Sequence, residues 1–154
     1  MKVNEIFENI DFKIKPNENY RKQYLFRFQK SIYKIFNKEK DFLFSNLIIK
    51  KKVNSDETLK KELLKVDGMS TFAIGYIINK ICQNLTRDEN YINIGVWKGF
   101  SLIAGMINTE CNIYGVDNFS QFGGQKEEFI KNFNLLKDET KHFFYDSDYK
   151  DFFK

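Results

Sequence analysis

The sequence predicts an α/β protein: a parallel sheet with its helices in residues 67–154, preceded by a mainly helical region in residues 1–66. Three observations predict it. Short apolar segments at 91–96, 112–116 and 142–145 alternate with stretches of helical periodicity. Each pair of segments is separated by enough chain for the helical crossover that parallel strands require. A turn with two glycines, Gly95 and Gly99, joins the first segment to its helix.

The N-terminal elements follow from spacing. Val3, Ile6, Phe7 and Ile10 fall on one helical stripe, and Pro16 and Asn17 interrupt it. Tyr20, Tyr24, Phe28, Ile32, Ile35 and Phe36 recur at helical spacing, with Arg21, Lys22, Arg27, Lys30 and Lys34 between them. Residues 42–49, FLFSNLII, are short and apolar and fit a helix or a strand. Ser55 is placed to cap a helix carrying Leu59, Leu63 and Leu64. After the break at Asp67-Gly68, Ser70 or Thr71 caps a helix with Phe72, Ile74, Ile77, Ile78, Ile81 and Leu85 as its core stripe.

Beyond the polar linker at 86–90, the order is strand 91–96, helix 99–108, strand 112–116, helix 124–136 and strand 142–145. A further helix starts at 148.

Composition bounds the function. A chain of 154 residues suffices for one domain with a core. The start, MKVNEIFENIDF, lacks the apolar region of a secretory signal, and no apolar run approaches the ~18 residues of a membrane span. Cys82 and Cys111 lack CxxC or Cys/His spacing, so they read as buried reduced thiols of a cytoplasmic protein, with no metal site expected. Charge is uneven: 1–66 carry 16 Lys/Arg against 9 Asp/Glu, and 67–154 carry 9 against 12. A basic front half invites a nucleic-acid or anionic-surface reading, but a solvated helical face in a Lys-rich chain is the favoured one.

The turn Gly95-Val96-Trp97-Lys98-Gly99-Phe100-Ser101 can be tested against nucleotide-binding patterns. It lacks the Lys-Ser/Thr pair of a P-loop. It has Trp97 where a dinucleotide site needs a glycine, so a pyrophosphate could not approach closely. A ligand without a pyrophosphate fits better. Asp117 ends the second strand 22 residues after Gly95, where a carboxylate can accept from both ribose hydroxyls; alternatively it caps the turn that follows. Asp146-Ser147-Asp148-Tyr149 follows the third strand, able to meet an adenine or to cap a helix. Residues 91–120 thus read as the nucleotide-contacting half of a site.

Together, NIGVWKGFS and GVDNFS resemble the motifs of class I S-adenosylmethionine-dependent methyltransferases, in a branch acting on small-molecule and sugar-derived acceptors. The resemblance covers about 68–154 and implies a Rossmann-like three-layer sheet and S-adenosylmethionine as cofactor. It implies that Gly95 and Gly99 cradle the methionine portion, that Asp117 holds the ribose and that Asp148 lies near adenine. It also implies that Asn118, Phe119 and Ser120 border the adenosine. Asn93 stands where the family carries an acid. The family's sheet has seven strands; here the third strand is expected to be the last, as in a truncated or inactive form. The edge of 91–96 is then covered by residues 1–66, by another copy in a homo-oligomer, or by further natural chain. No catalytic base is assigned, and His142 belongs at the sheet end opposite the ligand. Two other classes stay open. One is a noncatalytic interaction module. The other is an RNA-binding protein or RNA methyltransferase using the basic helix 20–36, although its aromatic stripe is expected to pack inward.

Overall fold

A computed structural model describes residues 3–13 and 24–154. Tyr20, Arg21 and Lys22 of the expected basic helix lie outside the described residues, as do Pro16 and Asn17.

The N-terminal elements are α1 (Val3–Glu8), β1 (Ile10–Phe12), α2 (Tyr24–Ile35), α3 (Glu39–Phe44), β2 (Leu47–Ile49) and α4 (Asn54–Lys65). β1 and β2 pair antiparallel, Ile10 opposite Ile49 and Phe12 opposite Leu47. This corrects the helical reading at Ile10, which is a strand residue; the segment 42–49, which fitted a helix or a strand, divides into the end of α3 and β2. Ile6 and Ile10 are both buried, so a helical spacing of four was satisfied by a helix followed by a strand. In β2, Leu47 and Ile49 are buried and Ile48 is exposed, the period of two that a half-buried strand requires.

Ser55 lies inside α4 and does not cap it. The Asp56 carboxylate accepts from the Val53 N–H at 3.1 Å instead, since an acid in the first turn can reach back to the unpaired donor. α5 (Phe72–Cys82) starts after Thr71, whose side chain makes no capping bond; Asn46 Oδ1 accepts from the Ala73 N–H at 2.9 Å. Its buried residues include Phe72, Ala73, Tyr76, Asn79 and Cys82, whereas Ile74 and Ile81 are exposed, against the expected stripe. The reason is Gly75. A Cβ there would come within 2.5 Å of Leu63 Cδ1, so α5 meets α4 on its glycine side and turns Ile74 outward.

The remaining elements are β3 (Asn90–Ile94), α6 (Phe100–Met106), β4 (Asn112–Asp117), α7 (Lys126–Asn134), β5 (His142–Asp146) and α8 (Tyr149–Phe152). β3, β4 and β5 form a three-stranded parallel sheet in that order. α6 and α7 cover one face. Leu102 sits over Gly115, where a Cβ would be 2.7 Å from its Cδ2, and Phe129 lies 4.6 Å from Phe144. Asn79 of α5 donates to the Ala104 and Ile107 carbonyls and so closes the end of α6. The core runs without a break from Ile6 and Leu63 through Phe72, Phe100 and Ile103 to Phe129 and Phe133.

The other sheet face carries Ile92, Ile94, Tyr114, Phe143 and Tyr145 by the alternation of the strands. Tyr114 stacks on Phe143 at 5.1 Å, and Phe152 of α8 meets Tyr145 at 5.0 Å. Ile92, Ile94 and Tyr145 remain exposed. The outer edge of β3 pairs with no strand among the described residues. Asn112 donates to the Glu89 carbonyl and Gly95 to the Val116 carbonyl, so the odd residues of β3 face β4. The N–H and C=O groups of Ile92 and Ile94 therefore point away from the sheet. No described helix is long and apolar enough to cross a membrane.

Candidate functional site

A cleft of about 360 Å³ lies at the carboxyl ends of β3 and β4 and is lined in part by residues around the start of α8. Clefts of an open parallel sheet form there because the chain leaves each strand at that end. Gly95 follows β3 with φ +77°, and a Cβ built on it meets nothing within 4 Å. A glycine in the left-handed region beside open space is the cradle that a ligand lying against the backbone needs.

Trp97 comes next with φ +48°. Its N–H donates to Asp117 Oδ2 at 3.0 Å, and its indole Nε1–H to the Phe122 carbonyl at 3.3 Å. Asp117 Oδ1 accepts from the Phe119 N–H at 2.8 Å. Asn118 Nδ2 donates to Asp148 Oδ2 at 3.2 Å, and Asn118 Oδ1 accepts from the Ser120 N–H. Asp148 also caps α8 by accepting from the Lys150 N–H at 2.9 Å. The three loops around the cleft are thus joined by side-chain carboxylates and one amide. Trp97, Phe119 and Phe122 are non-glycine residues with φ near +50°, each at a cost of about 1–2 kcal/mol. All three line the cleft, so backbone strain gathers there.

The walls are aromatic and apolar, with Ile94, Trp97, Phe119, Phe122 and Tyr149. The polar lining holds Asp117, Asn118, Ser120, Gln121, Ser147 and Asp148, with no Lys, Arg or His among the described lining residues. The nearby cations stand outside the lining: Lys98 pairs with Glu128 at 2.8 Å and lies over the Trp97 ring, 5.1 Å from its centroid, Lys150 lies over the Tyr149 ring at 5.9 Å, and Lys126 pairs with Asp146. Aromatic faces suit a planar base, and carboxylates accept from hydroxyls or meet a positive charge. The described lining residues offer a phosphate no cationic partner.

Of the residues read from sequence, Gly95, Asp117, Asn118, Phe119, Ser120 and Asp148 come together here. Asn93 and Gly99 do not line the cleft. Asn93 Oδ1 accepts from Ser101 Oγ at 2.8 Å, toward the helix-covered face. Gly99 is buried with φ +96°, and a Cβ there would stand 3.1 Å from Phe129. Its glycine serves the turn and the packing of α6 against α7. Both readings of Asp117 and of Asp148 hold a physical basis: each already fastens backbone, and each faces the cleft. Asp146 is held at the end of β5 by Lys126.

Met69, Gln121 and Phe122 were not legible as lining residues, since each reaches the cleft through loop geometry, and Ile94 reaches it from the last position of β3. His142 sits opposite Ile113 at the other end of the sheet, buried, its Nδ1 accepting from the Asp138 N–H at 3.0 Å. Cys82 and Cys111 are both buried and free. Compared with known proteins, the chain matches no family model, no curated protein and no solved structure.

Proposed function

We propose that the cleft binds an adenosyl ligand of positive charge, S-adenosylmethionine, and that the domain is a Rossmann-like methyltransferase or an inactive form of one. The observation that supports this reading is the donor set: two carboxylates and aromatic walls, with no cationic side chain among the described lining residues, beside a glycine with open space at its Cβ. A dinucleotide or nucleoside triphosphate would bring phosphates to an acidic cleft. A sulfonium ligand brings a nucleoside and a positive charge.

In this reading Asp117 accepts from the ribose hydroxyls with the lone pairs that Trp97 and Phe119 leave unused. Asp148 and Asn118 border the base, and Phe119 gives it an apolar surface. Gly95 lets the ligand lie against the chain. The cofactor would supply an electrophilic methyl group for a small-molecule or sugar-derived acceptor. Rate would then depend on holding that acceptor in line, and no described residue is assigned as its base. Asn93 and Gly99 have no part in this site.

The test is titration calorimetry with S-adenosylmethionine, S-adenosylhomocysteine, ATP and NAD. Binding of the sulfonium S-adenosylmethionine and of its thioether product S-adenosylhomocysteine at micromolar to submillimolar levels, lost in Asp117→Ala, supports the proposal. Equal or tighter binding of ATP, or no heat from either adenosyl ligand, ends it.

A second reading, a noncatalytic interaction module, is favoured by one observation. Among the described residues no strand pairs with the outer edge of β3, an uncharged strand whose Ile92 and Ile94 are exposed. A stable oligomer that Ile92→Lys dissolves, in a protein with no adenosyl affinity, would favour it.

A further inference from the structure

We propose that α2 is an interfacial helix that binds anionic lipid bilayers. α2 is 12 residues, about 18 Å long. None of its described side chains is buried. Phe28 is 65% exposed, Ile32 37%, Ile35 77% and Phe36, just past its end, 68%. Spacings of three, four and seven put these four on one face. Arg27, Lys30 and Lys34 fall on the opposite face, and no acidic residue occurs between Tyr24 and Lys38. An isolated helix of this length is marginal in water, and its stability normally comes from burying its apolar face. Here that face meets solvent.

Charge chooses the occupant. A second copy of α2 would cover the apolar face but leave both basic faces, turned away from the contact, without an acidic counterpart. An RNA surface needs rings and cations side by side, because a base and its phosphate belong to one nucleotide. On α2 they are segregated, and Ile32 and Ile35 cannot stack on bases. A bilayer with anionic headgroups accepts this pattern: apolar side chains enter the acyl boundary and the basic face stays among the headgroups. The basic residues add attraction that salt screens.

The test is co-sedimentation of the full chain with vesicles. Phosphatidylglycerol–phosphatidylcholine vesicles should bind it at low salt, and pure phosphatidylcholine vesicles or high salt should release it. Lys34→Gln with Lys38→Gln should weaken partition roughly 30-fold. Phe28→Ser with Ile35→Ser should weaken it by roughly 10-fold or more. These positions are exposed, so thermal melts should match the parent; the salt and lipid comparisons need no variant at all. Failure of the parent chain to bind phosphatidylglycerol vesicles overturns the proposal, as does equal binding to both lipids. A dimer dissolved by Ile35→Ser, or an RNA gel shift, without vesicle binding overturns it too.

Discussion

The Asp117 carboxylate accepts the Trp97 backbone N–H at 3.0 Å, which ties the turn after β3 to the end of β4. Its second oxygen takes the Phe119 N–H. One side chain therefore holds two of the strained residues at the cleft. Asp117→Ala should lower stability by about 2 kcal/mol, the scale of hydrogen bonds to a charged group. Asp117→Asn keeps one acceptor and should cost about half as much. Denaturant melts of the three proteins check the order.

Lys80 and Asp56 form a buried ion pair at 2.8 Å between α5 and α4. Lys80 also lies over the Tyr76 ring, 5.2 Å from its centroid. Lys80→Met leaves a buried carboxylate without its partner and should cost about 3–5 kcal/mol. Changing both, Lys80→Met with Asp56→Leu, should recover much of that, less the Val53 contact to Asp56. A double-mutant cycle in denaturant measures the coupling, and additive losses would refute it.

Burial pushes the His142 imidazole below its ordinary 6.5, Lys141 adds to the shift, and Asp138 opposes it. The unfolded chain therefore takes up the proton first as pH falls. This contribution is intact above pH 6.5 and is lost as pH falls from there toward the lower folded value. His142→Gln should flatten that part of the stability–pH curve. An unchanged slope between pH 7 and 5 would assign it to other groups.

Burial also pushes the Cys82 thiol up to about 12, with Cys111 beside it adding to the effect, and raises Cys111 as well. The thiolate is the reactive form, so both should resist an aromatic disulfide reagent at pH 8. Denaturation should release both thiols, the full cysteine content of the chain. Rapid labelling of the native protein would contradict their burial.

Much of the parallel sheet was legible because its signals are local. The second strand was read as 112–116 and is Asn112–Asp117. Phe129 and Phe133, a helical turn apart, carry α7 into the core as its periodicity requires. The β1–β2 pair was not legible. Each strand has three residues, too few to tell alternation from a helical run in the sequence, where 47–49 reads as uniformly apolar, and the partners are brought together from distant parts of the chain. The inward packing expected of the α2 stripe also failed among its described residues, because periodicity marks a face without saying what meets it.

At the cleft the division is the same. Turn chemistry and strand spacing were enough to read Gly95 and Asp117 as neighbours in space, and the sequence determined that much. It could not separate Gly95 from Gly99, since both need a positive φ. Tertiary packing decided that Gly95 opens on the cleft while Gly99 is sealed under Phe129. It also turned Asn93 toward Ser101 and drew Lys98 and Lys126 to acids elsewhere. Backbone conformation follows from neighbouring residues, but the space beside a residue and the charge within it are set by chain that arrives from far away.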